Sequence, residues 1–305
     1  MTMISKEFRP RLGEIHTEEQ ELIAKLLAQK IRDLGLSKSL ELLGQLPSSK
    51  KMVQRSSCQK WLVLSDVHRP FHNQQLWDKV LRLIRDMGTD LYGICLAGDY
   101  LDLYTLGSYN SMSLGLLEGI DLGYEYEDGL NGLIELQSAL PDGCKKLFLY
   151  GNHEDRYFRT MNSRDHKKFG SALRDPIEAL RLQENGWQVK TNWKDDFFTL
   201  GEHLDVCHGT YHNKHVAAKH LDQNGRSVMF GHTHRIQSFH LGNRAAFNIG
   251  GLFDIKNKAF GYMPRMTRRN WANGFAIVNI DNKGDFYTNQ VTVWNDCFFV
   301  EGKKY

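Results

Sequence analysis

The sequence predicts an α/β fold in which buried sheets are covered by helices, with a helical extension ahead of it. Two observations carry this. From Lys60 onward, short apolar runs recur, each closing on polar residues: "KWLVLSDVH", "LYGICLAGDYLD", "KKLFLYGNHE", "HLDVCHGTYH" and "SVMFGHTHR". Runs this short and this apolar suit strands buried on both faces. Between them lie segments with helical spacing that end at glycine or proline. "NQQLWDKVLRLIRDMG" ends on Gly88, "YEYEDGLNGLIELQSAL" stops before Pro141, "SALRDPIEALRLQENG" closes at Gly186, and "NKHVAAKHLDQNG" closes at Gly225.

Residues 1–57 read as the extension and its linker, and 58–305 as the main domain. In "HTEEQELIAKLLAQKIRDLG", Thr17 and Gln20 have capping-box spacing, and Leu22, Ile23, Leu26, Leu27 and Ile31 recur with helical period. A second short helix, "SKSLELLGQL", follows Gly35. Two short helices and a turn admit a helix-turn-helix reading, but an appendage that packs on the main domain or pairs subunits explains them better. Residues 104–123, rich in Gly, Ser and Leu, read as a long loop or lid. The tail "NGFAIVNIDNKGDFYTNQVTVW" alternates with period two around a turn and reads as a hairpin.

At 305 residues the chain is long enough to bury a real core. A formal charge of +3 permits an anionic substrate without demanding nucleic acid. The five cysteines are scattered, with no CxxC pair, which argues against a disulfide framework and a thiolate zinc site and for a reducing, cytoplasmic setting. The start "MTMISKEFRPRLGE" has no apolar h-region and no run reaches membrane-spanning length, so neither secretion nor membrane insertion is expected.

Carboxyl ends of strands are where sites assemble in α/β sheets. Reading those ends in order gives Asp66 and His68, Asp99, Asn152 and His153, His208, then His232 and His234. Oxygen and imidazole donors without thiolate suit Mn²⁺, Fe or Zn²⁺. Leaving His153 aside, the donors exceed what one ion uses, whereas two ions sharing the Asp99 carboxylate employ them all. Two ions roughly 3.5–4 Å apart form the clamp used for in-line displacement at phosphorus, with a bridging hydroxide as nucleophile. A lone His or Asp at a strand end is more often a cap or a solvated residue. His16, His166, His203, His215, His220 and His240 are read that way, and His72 and His212 as neighbours of the site rather than ligands.

The motifs "DVH" (66–68), "GDYLD" (98–102), "GNHE" (151–154), "HG" (208–209) and "GHTH" (231–234) stand in the order found in the calcineurin-like metallophosphoesterases, which the sequence resembles over most of residues 60–235. The resemblance implies a four-layer αββα metallophosphoesterase sandwich with a dimetal site at the strand ends. It implies that Asp66, His68, Asp99 and His234 hold one ion, and that Asp99, Asn152, His208 and His232 hold the other. His153 would assist the leaving oxygen, and Asp102 would orient His153 and raise its pKa. The ions expected are Mn²⁺ first, with Fe, Zn²⁺ or Ni²⁺ as alternatives. Gly98, Gly151 and Gly231 would keep Cβ atoms away from the metals.

Departures narrow the substrate. Leu103 stands where protein phosphatases of this superfamily carry Arg, and His153 where lipid-A precursor hydrolases carry Arg. "GNHE" with "GHTH" is more similar to nuclease and phosphodiesterase branches, and "HGTYHNKHVAAKHL" with "NWANGFAIVNID" resembles metallophosphoesterases of bacteriophage genomes. The expected activity is hydrolysis of a phosphodiester or phosphomonoester of nucleotide or nucleic-acid type, in the host cytoplasm if phage-encoded. A nuclease and a non-catalytic scaffold are the alternatives. Arg156 and Arg235 are expected to bind substrate, and the N-terminal helices to pair subunits. Arg159 is a further candidate phosphate contact, and Arg265, Arg268 and Arg269 are read equally as phosphate contacts or as a solvated face.

Overall fold

The computed structural model describes residues 58–107, 119–164 and 166–305. The helices expected in residues 1–57, and most of the expected 104–123 loop, lie outside the described residues.

The apolar runs become strands. β1 (Gln59–Leu64), β2 (Leu91–Ala97), β3 (Lys145–Leu149) and β4 (Gln188–Lys190) run parallel. β10 (Gly274–Ile280) pairs antiparallel with β1, and β11 (Phe286–Thr292) with β10, so the expected tail hairpin extends this sheet to the order β11-β10-β1-β2-β3-β4. The second sheet has the order β5-β6-β7-β9-β8. Its strands are β5 (Phe198–Leu200), β6 (Leu204–Val206), β7 (Ser227–Phe230), β8 (Ile236–Leu241) and β9 (Arg244–Ile249). In it β6, β7 and β9 are parallel.

Period-two alternation sorts the side chains between layers. Val63, Cys95 and Leu147 stand side by side across β1–β3 and face the second sheet, where Val206, Met229, Phe247 and Ile249 meet them. The neighbouring row, Leu64, Leu96 and Phe148, points the other way, onto helices α1 (Gln74–Met87) and α2 (Leu122–Ala139). On the far side of the second sheet, Val228, Phe230 and Ala246 pack on Val216, Ala217 and Leu221 of helix α4 (Val216–Asn224). Three cores between four layers make the αββα sandwich. Fully burying each such side chain is worth about 1.5–3 kcal/mol.

The helix ends follow local chemistry. The Asn73 side chain caps α1 by accepting from Leu76 N at 3.1 Å, and Gly88, at φ 50°, ends it. Asp121 caps α2 by accepting from Tyr124 N at 2.8 Å. Gly225, at φ 70°, closes α4 as expected. One helix expected from the sequence is corrected: "SALRDPIEALRLQENG" is not continuous. Gly170–Ala172 is a 3-10 turn and α3 (Pro176–Ala179) a single helical turn, capped by Asp175 on Ile177 N at 2.9 Å. Pro176 cannot donate within a helix and starts a new one instead.

Candidate metal centre

All five polar strand ends meet at one edge of the sandwich. Five of the residues there adopt left-handed backbone: Asp66 (φ 49°), His68 (55°), Asp99 (52°), His232 (68°) and His234 (57°). Each such residue costs about 1–3 kcal/mol and persists only where its surroundings fix it. Here they do. Asp66 N donates to Gly98 O and His68 N to Asp99 O, both at 3.0 Å, tying the loop after β1 to the loop after β2. His153 N donates to Asp99 Oδ1 at 2.9 Å, and His232 N to Asp66 Oδ2 at 2.9 Å. The buried Glu154 carboxylate accepts from Asp99 N (3.0 Å), Leu101 N (2.8 Å) and Gly151 N (2.8 Å), clamping the loops after β2 and β3.

Close approach explains the glycines. A Cβ on Gly151 would lie on Asp99 Oδ1 and its backbone, and one on Gly231 would meet Asp66 Oδ2 and Ser65 Oγ. A Cβ on Gly98 would meet the His208 ring, so in all three cases the obstacle is a candidate ligand side chain rather than the metal space the sequence suggested.

Donors converge in three groups. Asp66, His68 and His234 form the first, Asp99, His208 and His232 the second, and His68, Asp102 and His153 a third that shares His68 with the first. In the first, His234 Nε2 is 3.2 Å from Asp66 Oδ1 and 2.9 Å from His68 Nε2. In the second, His208 Nε2 is 3.2 Å from Asp99 Oδ2 and 3.1 Å from Asn152 Oδ1. Asp99 Oδ2 is also 3.9 Å from His68 Nε2, so this carboxylate lies between the first two groups.

The electrostatics fit a cation. Burial alone would push the Asp66 carboxyl up, but hydrogen bonds from His234 and His68 hold it well below the ordinary range. Burial likewise opposes ionisation of Asp99, and the charges of His208 and His153 outweigh it. Burial would lower His68, yet its bonds to Asp102 and Asp66 push it up to about 10. Asp99 similarly overcomes burial to push His208 up to about 9. Protons on His68 and His208 thus supply the positive charge that buried carboxylates demand, and a divalent ion supplies the same charge by displacing them. His232 Nδ1 is buried with no hydrogen-bond partner among the described residues, a lone-pair donor left for a ligand.

The His153 expectation needs correction. His153 Nδ1 donates to the backbone carbonyl of Asp102 at 2.7 Å, while the Asp102 carboxylate lies 3.6 Å away. That carboxylate instead accepts from His68 Nδ1 at 2.8 Å. Burial, and then the Arg156 guanidinium, lower the His153 pKa, and together they outweigh Asp99 and Asp102. The expected upward shift is therefore reversed. Arg156 Nη2 stands 3.2 Å from His153 Nε2, and Arg156 Nη1 donates to Asp102 O at 2.9 Å. Arg235 Nη1 donates to Asn213 O at 3.3 Å, beside the loop that carries His212. Arg159 pairs with Asp155 at 3.1 Å, and the Arg265–Arg268 turn has no buried residue.

Ser65 and Trp193 at the site were not singled out by the sequence, whereas Trp271 was, as an aromatic beside the basic run 265–269 and equally as a packing residue. Ser65 Oγ donates to Asp66 Oδ2 at 2.6 Å. Trp193 lies 5.9 Å, ring to ring, from His232, and Trp271 lies 4.5 Å from His234. His72, held by Gln74 at 2.7 Å, belongs to none of these donor groups.

No family model matches the chain. A curated relative, hexanoyl-CoA synthase of Cannabis sativa, is 31% identical over 117 residues, which are 37% of this chain and only 16% of that protein's length. Among solved structures, a Vps29 single mutant from Entamoeba histolytica has a TM-score of 0.41 at 11% identity, covering 81% of this chain and 99% of that one. Vacuolar protein sorting 29 from Cryptosporidium parvum has a TM-score of 0.41 at 12% identity, with 81% and 98% covered. A predicted phosphoesterase from Streptococcus pneumoniae has a TM-score of 0.32 at 13% identity, with 81% and 97% covered. Likenesses of this strength say nothing of activity, ligand or partner.

Proposed function

We propose that this chain is a calcineurin-like metallophosphoesterase that hydrolyses a phosphodiester or phosphomonoester, of nucleotide or nucleic-acid type, with two divalent ions. One observation carries the reading: two groups of converging donors, all buried except the half-buried His232, share an edge of the sandwich, with the Asp99 carboxylate between them. Two ions held there supply Lewis acidity and a nucleophile at neutral pH. Asp66, His68, Asp99 and His234 would hold one, and Asp99, Asn152, His208 and His232 the other. We take Mn²⁺ as the first ion to test, with Fe, Zn²⁺ or Ni²⁺ as alternatives for such oxygen and imidazole donors.

The chain's own residues do the rest. His153, fixed through Nδ1 on Asp102 O, turns Nε2 toward the space beside Asp99, at 3.9 Å from Asp99 Oδ2. With Nδ1–H held by Asp102 O, it would assist the leaving oxygen only as the imidazolium, giving up a second proton carried on Nε2 in place of the Arg156 contact. Arg156, held against His153, is a fixed cation for the charge that develops on the phosphoryl group. Arg235 would meet the remainder of the substrate. We place the enzyme in the cytoplasm; among the described residues no helix is long and apolar enough to cross a membrane.

The test is hydrolysis of bis-p-nitrophenyl phosphate and p-nitrophenyl phosphate with Mn²⁺, beside Asp99→Ala and His153→Ala. Mn²⁺-dependent turnover is expected, abolished in Asp99→Ala and reduced about 10²–10⁴-fold in His153→Ala. Turnover that survives Asp99→Ala sinks the reading, and the preferred ester separates diesterase from monoesterase.

A further inference from the structure

We propose that His212 is a positioning residue that fixes the ring of His232 so that Nδ1, not Nε2, is offered to the second ion. This rests on the binuclear reading above.

His212 lies on the segment between β6 and α4, four residues after His208. Its Nε2 is 3.1 Å from His232 Nε2, with the two rings 4.4 Å apart and tilted by 52°. A neutral imidazole carries one proton, and the partner of one nitrogen decides where it sits. Two ring nitrogens at this separation share one proton, so one donates and the other accepts. His232 Nε2 is thereby engaged. Its other nitrogen, Nδ1, is buried with no partner among the described residues, yet His232 converges with Asp99 and His208. Donation from His232 Nε2–H to His212 leaves a lone pair on that buried Nδ1, the state a metal ligand requires.

His212 itself belongs to none of the groups of converging donors, and it is exposed. The His232 backbone is independently fixed by its N–H on Asp66 Oδ2, at 2.9 Å. What the backbone bond leaves free is rotation of the ring and choice of tautomer, and His212 acts on both. Two of the other expected ligand imidazoles have partners of the same kind. His68 Nδ1 donates to Asp102 at 2.8 Å, and His208 Nδ1 lies 3.0 Å from Ala97 O. His212 gives His232 the partner that would otherwise be missing.

The experiment is calorimetric titration of the full chain with Mn²⁺, for wild type, His212→Ala, His212→Gln and His232→Ala. Thermal melting in chelator checks that each variant folds. Wild type is expected to take up two ions. His212→Ala should weaken one of them about 10–100-fold and leave the other unchanged. His212→Gln, whose amide oxygen can accept from His232 Nε2–H, should recover most of that loss, and His232→Ala should lose the same ion outright. Two ions bound with unchanged affinity in His212→Ala overturn the proposal alone. A His212→Gln protein as impaired as His212→Ala also overturns it, because His212 would then be a ligand. A wild type that takes up fewer than two ions overturns the binuclear reading together with the proposal, and the wild-type titration alone tells that case apart.

Discussion

Asp102 shows how one carboxylate changes its meaning with a difference of under 1 Å. Its Oδ2 is 2.8 Å from His68 Nδ1 and 3.6 Å from His153 Nδ1, so only the first is a hydrogen bond. The motif "GDYLD" suggested the Asp102 side chain as the partner of His153; here its backbone carbonyl takes that place and its carboxylate faces His68. Spacing alone cannot resolve this, because the left-handed turns at His68 and Asp99 decide which ring faces the carboxylate. The consequence is measurable in Asp102→Asn. A carboxylate behind a metal-binding imidazole raises its basicity, so the substitution is expected to weaken Mn²⁺ at the His68 site about 10–100-fold in a calorimetric titration. His153, held by the backbone carbonyl of residue 102, should keep its place. A pH–rate profile shifted with Mn²⁺ affinity intact would return Asp102 to the role the sequence suggested.

At the level of elements, the parallel strands β1, β2, β3, β6 and β7 were legible because each couples an apolar run to a polar end. "KWLVL", "LYGICLA" and "KKLFL" are unambiguous, since buried parallel strands need side chains of one kind on both faces. β4, β5, β8 and β9 were not legible. β4 and β5 are three residues each, and β8 is largely exposed, so neither length nor apolarity marks them. A second hidden element is the join between α2 and the turn after β2. Glu125 of α2 is fully buried and accepts from Tyr104 N and Thr105 N, the latter at 2.9 Å. Burial pushes its carboxyl up to about 7, although the Thr105 bonds pull it down. The folded protein therefore holds this proton more tightly than the unfolded chain does. The stabilisation is complete below the ordinary Glu range and is lost as pH rises through about 7. The loss is on the order of 3 kcal/mol, taking 1.36 kcal/mol per pKa unit. Urea midpoints at pH 5.5 and 8.0 should fall with pH in wild type and fall less steeply in Glu125→Gln, where Glu154, also pushed up to about 7, keeps part of the slope; equal slopes would remove Glu125 as a cause.

For the whole molecule, the sandwich brings side chains from both sheets to one edge. β1, β2 and β3 carry Asp66, His68, Asp99 and Asn152, while β6 and β7 carry His208, His232 and His234. An ion at either donor group therefore ties the two sheets together, and the unfolded chain offers it no such set. Anything that binds the folded state alone stabilises it by RT ln(1 + [L]/Kd), about 2.7 kcal/mol per site at a hundredfold excess over Kd. A domain of this size responds with about 2–4 °C per kcal/mol. Two filled sites should thus raise the melting temperature of chelator-stripped protein by about 10–20 °C. The rise should be near half that in His232→Ala, where one group has lost a donor while the other keeps Asp66, His68 and His234. Asp99→Ala touches both groups and should lose more than His232→Ala does. Scanning calorimetry of the three proteins with and without Mn²⁺ reads this directly. If Asp99→Ala and His232→Ala lose the same increment, Asp99 serves one ion only, and the two donor groups are separate sites rather than a joined pair.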